Sequence, residues 1–261
     1  MFALQDVLSV LSGSLVGFTL GLVGGGGSIL AMPLMIYVVG MTSTHAAIGT
    51  SAVAVAASAA ANLIGHARAR TIKWQCALVF AVSGMIGAAG GAQLGKMVDG
   101  HRLLLAFGVL MIVVGLLMLR PRSGAGNPDV KLNRASAIRL LPLLIGLGLA
   151  VGALAGFFGI GGGFLIVPGL MAATGMPLIN AIGSSLVSVT AFGMTTAVSY
   201  SFSGLVDWRV AGLFVLGGAL GGLIGIALGQ KLSTYRRALS LVFSTIVIAV
   251  GIYVVVSSLR G

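Results

Sequence analysis

The chain has 261 residues, of which 58% are hydrophobic and 7% charged, and its mean hydropathy is +1.14. Soluble domains carry about 25% charged residues, so lipid must be the solvent here and a water-soluble enzyme is excluded. The net charge of +11 is no nucleic-acid footprint, because the cations sit in short loops between apolar segments, where membrane proteins collect them on the cytoplasmic side.

Apolar segments fall at 5–22, 29–40, 44–65, 74–95 and 102–119, and again at 140–158, 164–175, 180–202, 208–230 and 236–257. Most reach the roughly 20 residues that a helix needs to span hydrocarbon. The apolar runs are continuous, without the alternation of a barrel strand. The pattern predicts an all-α polytopic membrane protein. The first segment has no Lys or Arg ahead of it, which predicts that it stays in place and is not cleaved as a signal peptide. The segments 29–40 and 164–175 are short and each follows a glycine cluster, so each reads equally as a re-entrant hairpin or a discontinuous helix. The acids are Asp6, Asp99, Asp129 and Asp207, and none lies deep inside a spanning segment, Asp6 standing at the start of the first. Cys76, the lone cysteine, can form no internal disulfide.

The order of the segments repeats. Gly13, Gly17 and Gly21 recur as Gly148, Gly152 and Gly156, and the run Gly24 to Pro33 recurs as Gly159 to Pro168, at an offset of 135. At an offset of 134, Ile48-Gly49-Thr50-Ser51 falls on Ile182-Gly183-Ser184-Ser185, Trp74 on Trp208, and Gly87, Gly91 and Gly95 on Gly221, Gly225 and Gly229. Residues 1–119 and 140–261 are therefore two copies of one transmembrane unit, joined by the polar linker 120–139. Loop charge sets the orientation. The loop with His66, Arg68, Arg70 and Lys73, the linker, and the loop with Lys231, Arg236 and Arg237 are basic and belong on the cytoplasmic side. Their repeat counterparts are not basic in the same way, so the copies have opposite topology and both termini lie outside the cytoplasm. Inverted repeats in a bilayer point to alternating access around a site at the repeat interface.

The glycine clusters are the strongest candidates for that site. Four glycines in a row build no packing stripe, but they permit backbone that other residues resist. Irregular backbone at membrane depth survives only when buried in protein or lining a wet cavity. Gly24, Gly25, Gly26 and Gly27, with Ser28 as a cap, and Gly161, Gly162 and Gly163 would then end one helix and start another, with Pro33 and Pro168 near the first turn. Free N–H groups at such a helix start cradle an oxyanion. The hydroxyls of Thr50, Ser51, Ser184 and Ser185 are the next candidates, since they donate to an anion without a charge that would trap it, although such hydroxyls also bond their own backbone. The every-fourth-residue glycines read as packing surfaces and would equally serve a homodimer. His45, His66 and His101 lie at segment ends without metal-ligand spacing, and Trp74 and Trp208 read as interfacial anchors. No nucleophile–base pair occurs, so no enzyme, cofactor or metal is expected.

At Gly21-x-x-Gly24-Gly25-Gly26-Gly27-Ser28 with Pro33, and at Gly156-x-x-Gly159-x-Gly161-Gly162-Gly163 with Pro168, the chain resembles the sulfite exporter TauE/SafE family, also called the toluene sulfonate uptake permease family. The Gly-Thr-Ser and Gly-Ser-Ser triplets and the duplicated layout extend the likeness over nearly the whole chain. The resemblance implies transport of sulfur-containing anions such as sulfite, thiosulfate, sulfoacetate or sulfonates across the cell inner membrane, in either direction. A passive anion channel and a non-transporting membrane assembly protein are the alternatives.

Overall fold

A computed structural model describes residues 2–119, 134–159, 163–231 and 236–260. The expectations placed on Gly161 and Gly162, and on the linker as far as 133, lie outside the described residues. The secondary structure found is helical: α1 (Phe2–Val23), a 3-10 stretch (Gly24–Leu30), α2 (Ala31–Pro33), a π turn (Leu34–Val38), α3 (Thr44–Arg68), α4 (Trp74–Met97), α5 (Gly100–Leu119), α6 (Arg134–Phe158), α7 (Gly163–Thr174), α8 (Leu178–Phe202), α9 (Trp208–Lys231) and α10 (Arg236–Arg260). Among the described residues eight helices are long and apolar enough to cross a bilayer. Rows of large apolar side chains stay uncovered, Leu78, Val82 and Ile86 on α4 and Leu216, Leu220 and Leu223 on α9 among them. Patches of this kind are tolerated only where lipid covers them. The spans of α3 and α8 are the most enclosed, 67% and 61% buried, and this pair forms the centre of the bundle.

The glycine stripes decide how the helices meet. Gly13, Gly17 and Gly21 bring the α1 backbone onto Phe214, Gly218 and Gly222 of α9, so these two helices run parallel. Gly148, Gly152 and Gly156 of α6 lie in the same way on Phe80, Gly84 and Ala88 of α4. A Cβ at Gly17 or Gly152 would collide with the carbonyl of Gly218 or Gly84, which is why small residues recur there. In contrast, Gly49 meets Tyr200 and Leu205 while Gly183 meets Thr71, so α3 and α8 are antiparallel; Gly108 on Gly251 and Gly115 on Ser244 make α5 and α10 antiparallel as well. The main pairings α1–α9, α4–α6, α3–α8 and α5–α10 all join one half to the other. Exchanging the halves leaves this set unchanged.

Following those directions, with α3 and α4 antiparallel across their short turn, α1 and α3 run the same way, and so do α6 and α8. The chain must therefore turn back between them. Gly27 lies against the backbone of Thr19 and Leu20, residues that a continuing helix would leave about 10 Å behind. The sequence predicts an unwound stretch here. The backbone is instead a tightened 3-10 helix over Gly24–Leu30, a form in which side chains at i and i+3 eclipse and which four glycines enter without that crowding. Pro33 ends α2 and abuts the π turn, whose wider ring is closed by the Val39 N–H on the carbonyl of Leu34 at 2.9 Å. Pro168 sits in the second turn of α7, deeper than the first-turn position expected.

Candidate functional site

One layer of the bundle holds Gly218 between Gly17 and Ser58, and their repeat equivalents place Gly84 between Gly152 and Phe192. Gly193 on Ala52 and Ala56 brings the two sets to the same height. Measured from this middle layer, α1 stops after six residues, about 9 Å, short of the roughly 15 Å half-thickness of hydrocarbon. The reversal at Gly24–Gly27 thus takes place at membrane depth. In the other half α6 ends at Phe158, and Gly159 turns the chain with φ +66°, a left-handed conformation open chiefly to glycine. Its Cα packs so closely on Ile48 that a Cβ would overlap that side chain.

Each reversal packs on the central helix of the opposite half. Gly159 lies on Ile48, directly before Gly49-Thr50-Ser51, and the 3-10 stretch touches α8, which carries Ser184 and Ser185. The 3-10 stretch also touches α7, so the two glycine-marked segments meet. Thr50 and Ser184 each lie eight residues from Ser58 and Phe192, about 12 Å from the middle layer on opposite sides. The structure therefore brings the predicted residues into two composite clusters and does not gather the hydroxyls at one point. Ser28, Gly163, Thr50, Ser51, Ser184 and Ser185 are all buried.

The four hydroxyls divide into two kinds. Ser51 donates to the carbonyl of Ile48 at 3.0 Å and Ser185 to that of Ile182 at 2.8 Å. Their hydrogens are spent on their own helix. The Thr50 hydroxyl accepts the backbone N–H of Asp207 at 3.0 Å, and that of Ser184 accepts the N–H of Lys73 at 2.9 Å. Positions 73 and 207 are repeat equivalents, so one contact is made twice. A hydroxyl that accepts from an N–H keeps its own hydrogen for another acceptor.

Each end of the central pair is closed by polar contacts. At the α3 C-terminus, Thr71 donates to the carbonyl of His66 at 3.2 Å and lies 3.0 Å from that residue's Nδ1, while the Asn180 amide donates to the carbonyl of Thr71 at 2.8 Å. At the opposite end, His45 Nε2 donates to the carbonyls of Gly95 and Val98 at 3.3 and 3.1 Å. Lys96 Nζ reaches Ser199 of α8 and Ser203, which caps that helix. Sequence reading passed over Lys96, Ser199 and Tyr200; a cation on α4 close to its C-terminus is the only linear signal they carry.

A bundle that has, among the described residues, eight helices long and apolar enough to span a bilayer, with its main contacts between the two halves, defines a multi-pass membrane protein. The sequence model of the sulfite exporter TauE/SafE family matches residues 9–254, and the chain belongs to that family of membrane transporters. It is 51% identical over 249 residues to a probable membrane transporter protein of Xylella fastidiosa (strain 9a5c), covering 95% of this chain and 94% of that one. Probable membrane transporter protein YunE of Bacillus subtilis (strain 168) is 27% identical, over 94% of this chain and 95% of its own. Probable membrane transporter protein MJ0441 of Methanocaldococcus jannaschii is 23% identical over 97% and 96%. No solved structure matches the chain.

Proposed function

We propose that this transporter carries small anions, sulfur-containing oxyanions such as sulfite, thiosulfate or sulfoacetate among them, by alternating access between its two halves. The observation that carries the reading is the crossed pairing: Gly159 packs on Ile48, the residue before the Gly-Thr-Ser triplet of the other half, and the Gly24–Leu30 stretch packs on α8, the helix that carries the Gly-Ser-Ser triplet. A glycine backbone offers N–H groups to an oxyanion, and Thr50 and Ser184 keep hydroxyl hydrogens to add. Neither brings a full charge. The helix directions support copies of inverted topology, and the basic loops favour an orientation in the inner membrane with the α3–α4 turn in the cytoplasm and both termini outside. The membrane potential supplies about 2.3 kcal/mol per charge per 100 mV, enough to expel an anion without a buried carboxylate.

The test is flux of sulfite, thiosulfate, sulfoacetate and chloride into proteoliposomes under an imposed potential. Saturable flux of the sulfur oxyanions, lowered by Ser28→Ala and by Ser184→Ala, is the expected outcome. Flux without saturation would mark a channel, and no anion flux from folded protein would remove the reading.

A further inference from the structure

The bundle end where α3 begins and α4 and α8 finish carries a cation without a counter-ion. Lys96 Nζ donates to the Ser199 carbonyl at 3.3 Å, the Ser199 hydroxyl at 3.0 Å and the Ser203 hydroxyl at 3.1 Å. All three acceptors are neutral. Among the described residues the ion pair found is Arg209–Asp6, so no carboxylate there neutralises Lys96. The two nearby acids face elsewhere: Asp99 accepts the N–H groups of His101 and Arg102, and Asp207 those of Arg209 and Val210. Beneath the ammonium, 5.7 Å away, lies the ring of Tyr200, which is fully buried with its hydroxyl unpartnered. One turn deeper on the same face of α8, Thr196 is also fully buried, and its hydroxyl lacks a partner too. A buried phenol normally finds a partner, and an orphaned buried hydroxyl calls for a water or ligand absent from the bare protein.

We infer that Lys96, Tyr200 and Thr196 form an anion-admitting port on the side of the bundle where α3 begins, which takes a small oxyanion and passes it inward. The port deepens the transport reading above and rests on it. It borders the composite cluster of Gly159 and Thr50, because Tyr200 packs on Gly49 and the neighbouring Ile48 and Thr50 meet Gly159 and Asp207. An arriving oxyanion would exchange with the serine oxygens on the ammonium and supply the acceptor that the two hydroxyls lack. The repeat counterpart of Lys96 is Gln230, so the charge is not repeated at the equivalent position.

The experiment compares wild type, Lys96→Gln, Lys96→Arg and Tyr200→Phe in two assays. One is thiosulfate and chloride flux into proteoliposomes at low and high ionic strength. The other is thermal unfolding in detergent with and without thiosulfate. Lys96→Gln should raise the thiosulfate KM about tenfold or more, as loss of a charge-assisted contact does, and should flatten its salt dependence, while Lys96→Arg keeps both. Tyr200→Phe should leave the melting temperature without anion unchanged, since its hydroxyl bonds nothing, yet reduce the thiosulfate-induced shift. Wild-type KM and salt dependence in Lys96→Gln, with normal flux, would overturn the port and leave the transporter standing. A thiosulfate shift abolished by Lys96→Gln in a protein that moves no anion would keep Lys96 as an anion-binding site and overturn both its role as a port and the transport reading. Neither flux nor any thiosulfate shift in folded wild type would sink both.

Discussion

Thr50 and Ser184 show how one hydroxyl serves two ends. Each is fully buried and accepts the N–H just before a helix of the other half. Removing such an acceptor strands a buried N–H, at a cost of about 1–3 kcal/mol. Thr50→Val and Ser184→Ala should each lower the melting temperature in detergent, and because they lie on opposite sides of the middle layer their effects should add. Thr50→Ser should restore stability. Ser51→Ala and Ser185→Ala remove bonds made only to their own helix, so stability should change by less than about 0.5 kcal/mol. At this scale the residue types were legible from the chain, since Gly-Thr-Ser and Gly-Ser-Ser fall on one another. Which hydroxyl of each pair keeps a free hydrogen was not, because that depends on Asp207 and Lys73, more than a hundred residues away.

Among the elements, the stripes on α1, α4, α6 and α9 are contact surfaces, as their spacing predicts, and their partners are now known. Gly17→Ala and Gly152→Ala would each press a methyl into a carbonyl of the facing helix. Overpacking of that kind costs about 1–3 kcal/mol, so both should lower the melting temperature. Gly90 on α4 meets nothing within 4 Å and is exposed, so Gly90→Ala should hold or raise it by helix propensity alone. Equal loss at all three positions would show that the α1–α9 and α4–α6 contacts do not set the effect. The short segments 29–40 and 164–175 were left between two descriptions by sequence, since length alone suits both. Gly27 against Thr19 and Leu20 makes the first a returning hairpin.

The whole bundle is held together by contacts between its halves, with α3 and α8 at the centre. A Cβ built on Gly193 would lie 3.0 Å from that of Ala56, close to the Cβ separation that a disulfide requires after small adjustment. With Cys76 replaced, the pair Ala56→Cys and Gly193→Cys should cross-link the halves, and alternating access then expects flux to stop and return on reduction. Undiminished flux in the cross-linked protein would count against motion of one half relative to the other. Orientation is tested separately: single cysteines at Arg70 and at Asp99 should label from opposite sides of a sealed membrane, Arg70 from the cytoplasm.

Composition and period carry far in this protein because lipid is a severe solvent. A chain that is 7% charged has nowhere else to fold, backbone groups in hydrocarbon demand helices, and a duplication keeps its glycines in register. Membrane class, segment order, duplication and the breaks at the glycine clusters are all visible in one dimension. Pairing is different. A glycine stripe states that a helix comes close to something, and nothing in the stripe names the partner. Only the packed bundle set α1 on α9 and α4 on α6, packed each reversal on the central helix of the opposite half, and left Lys96 facing neutral oxygens above two unpartnered hydroxyls.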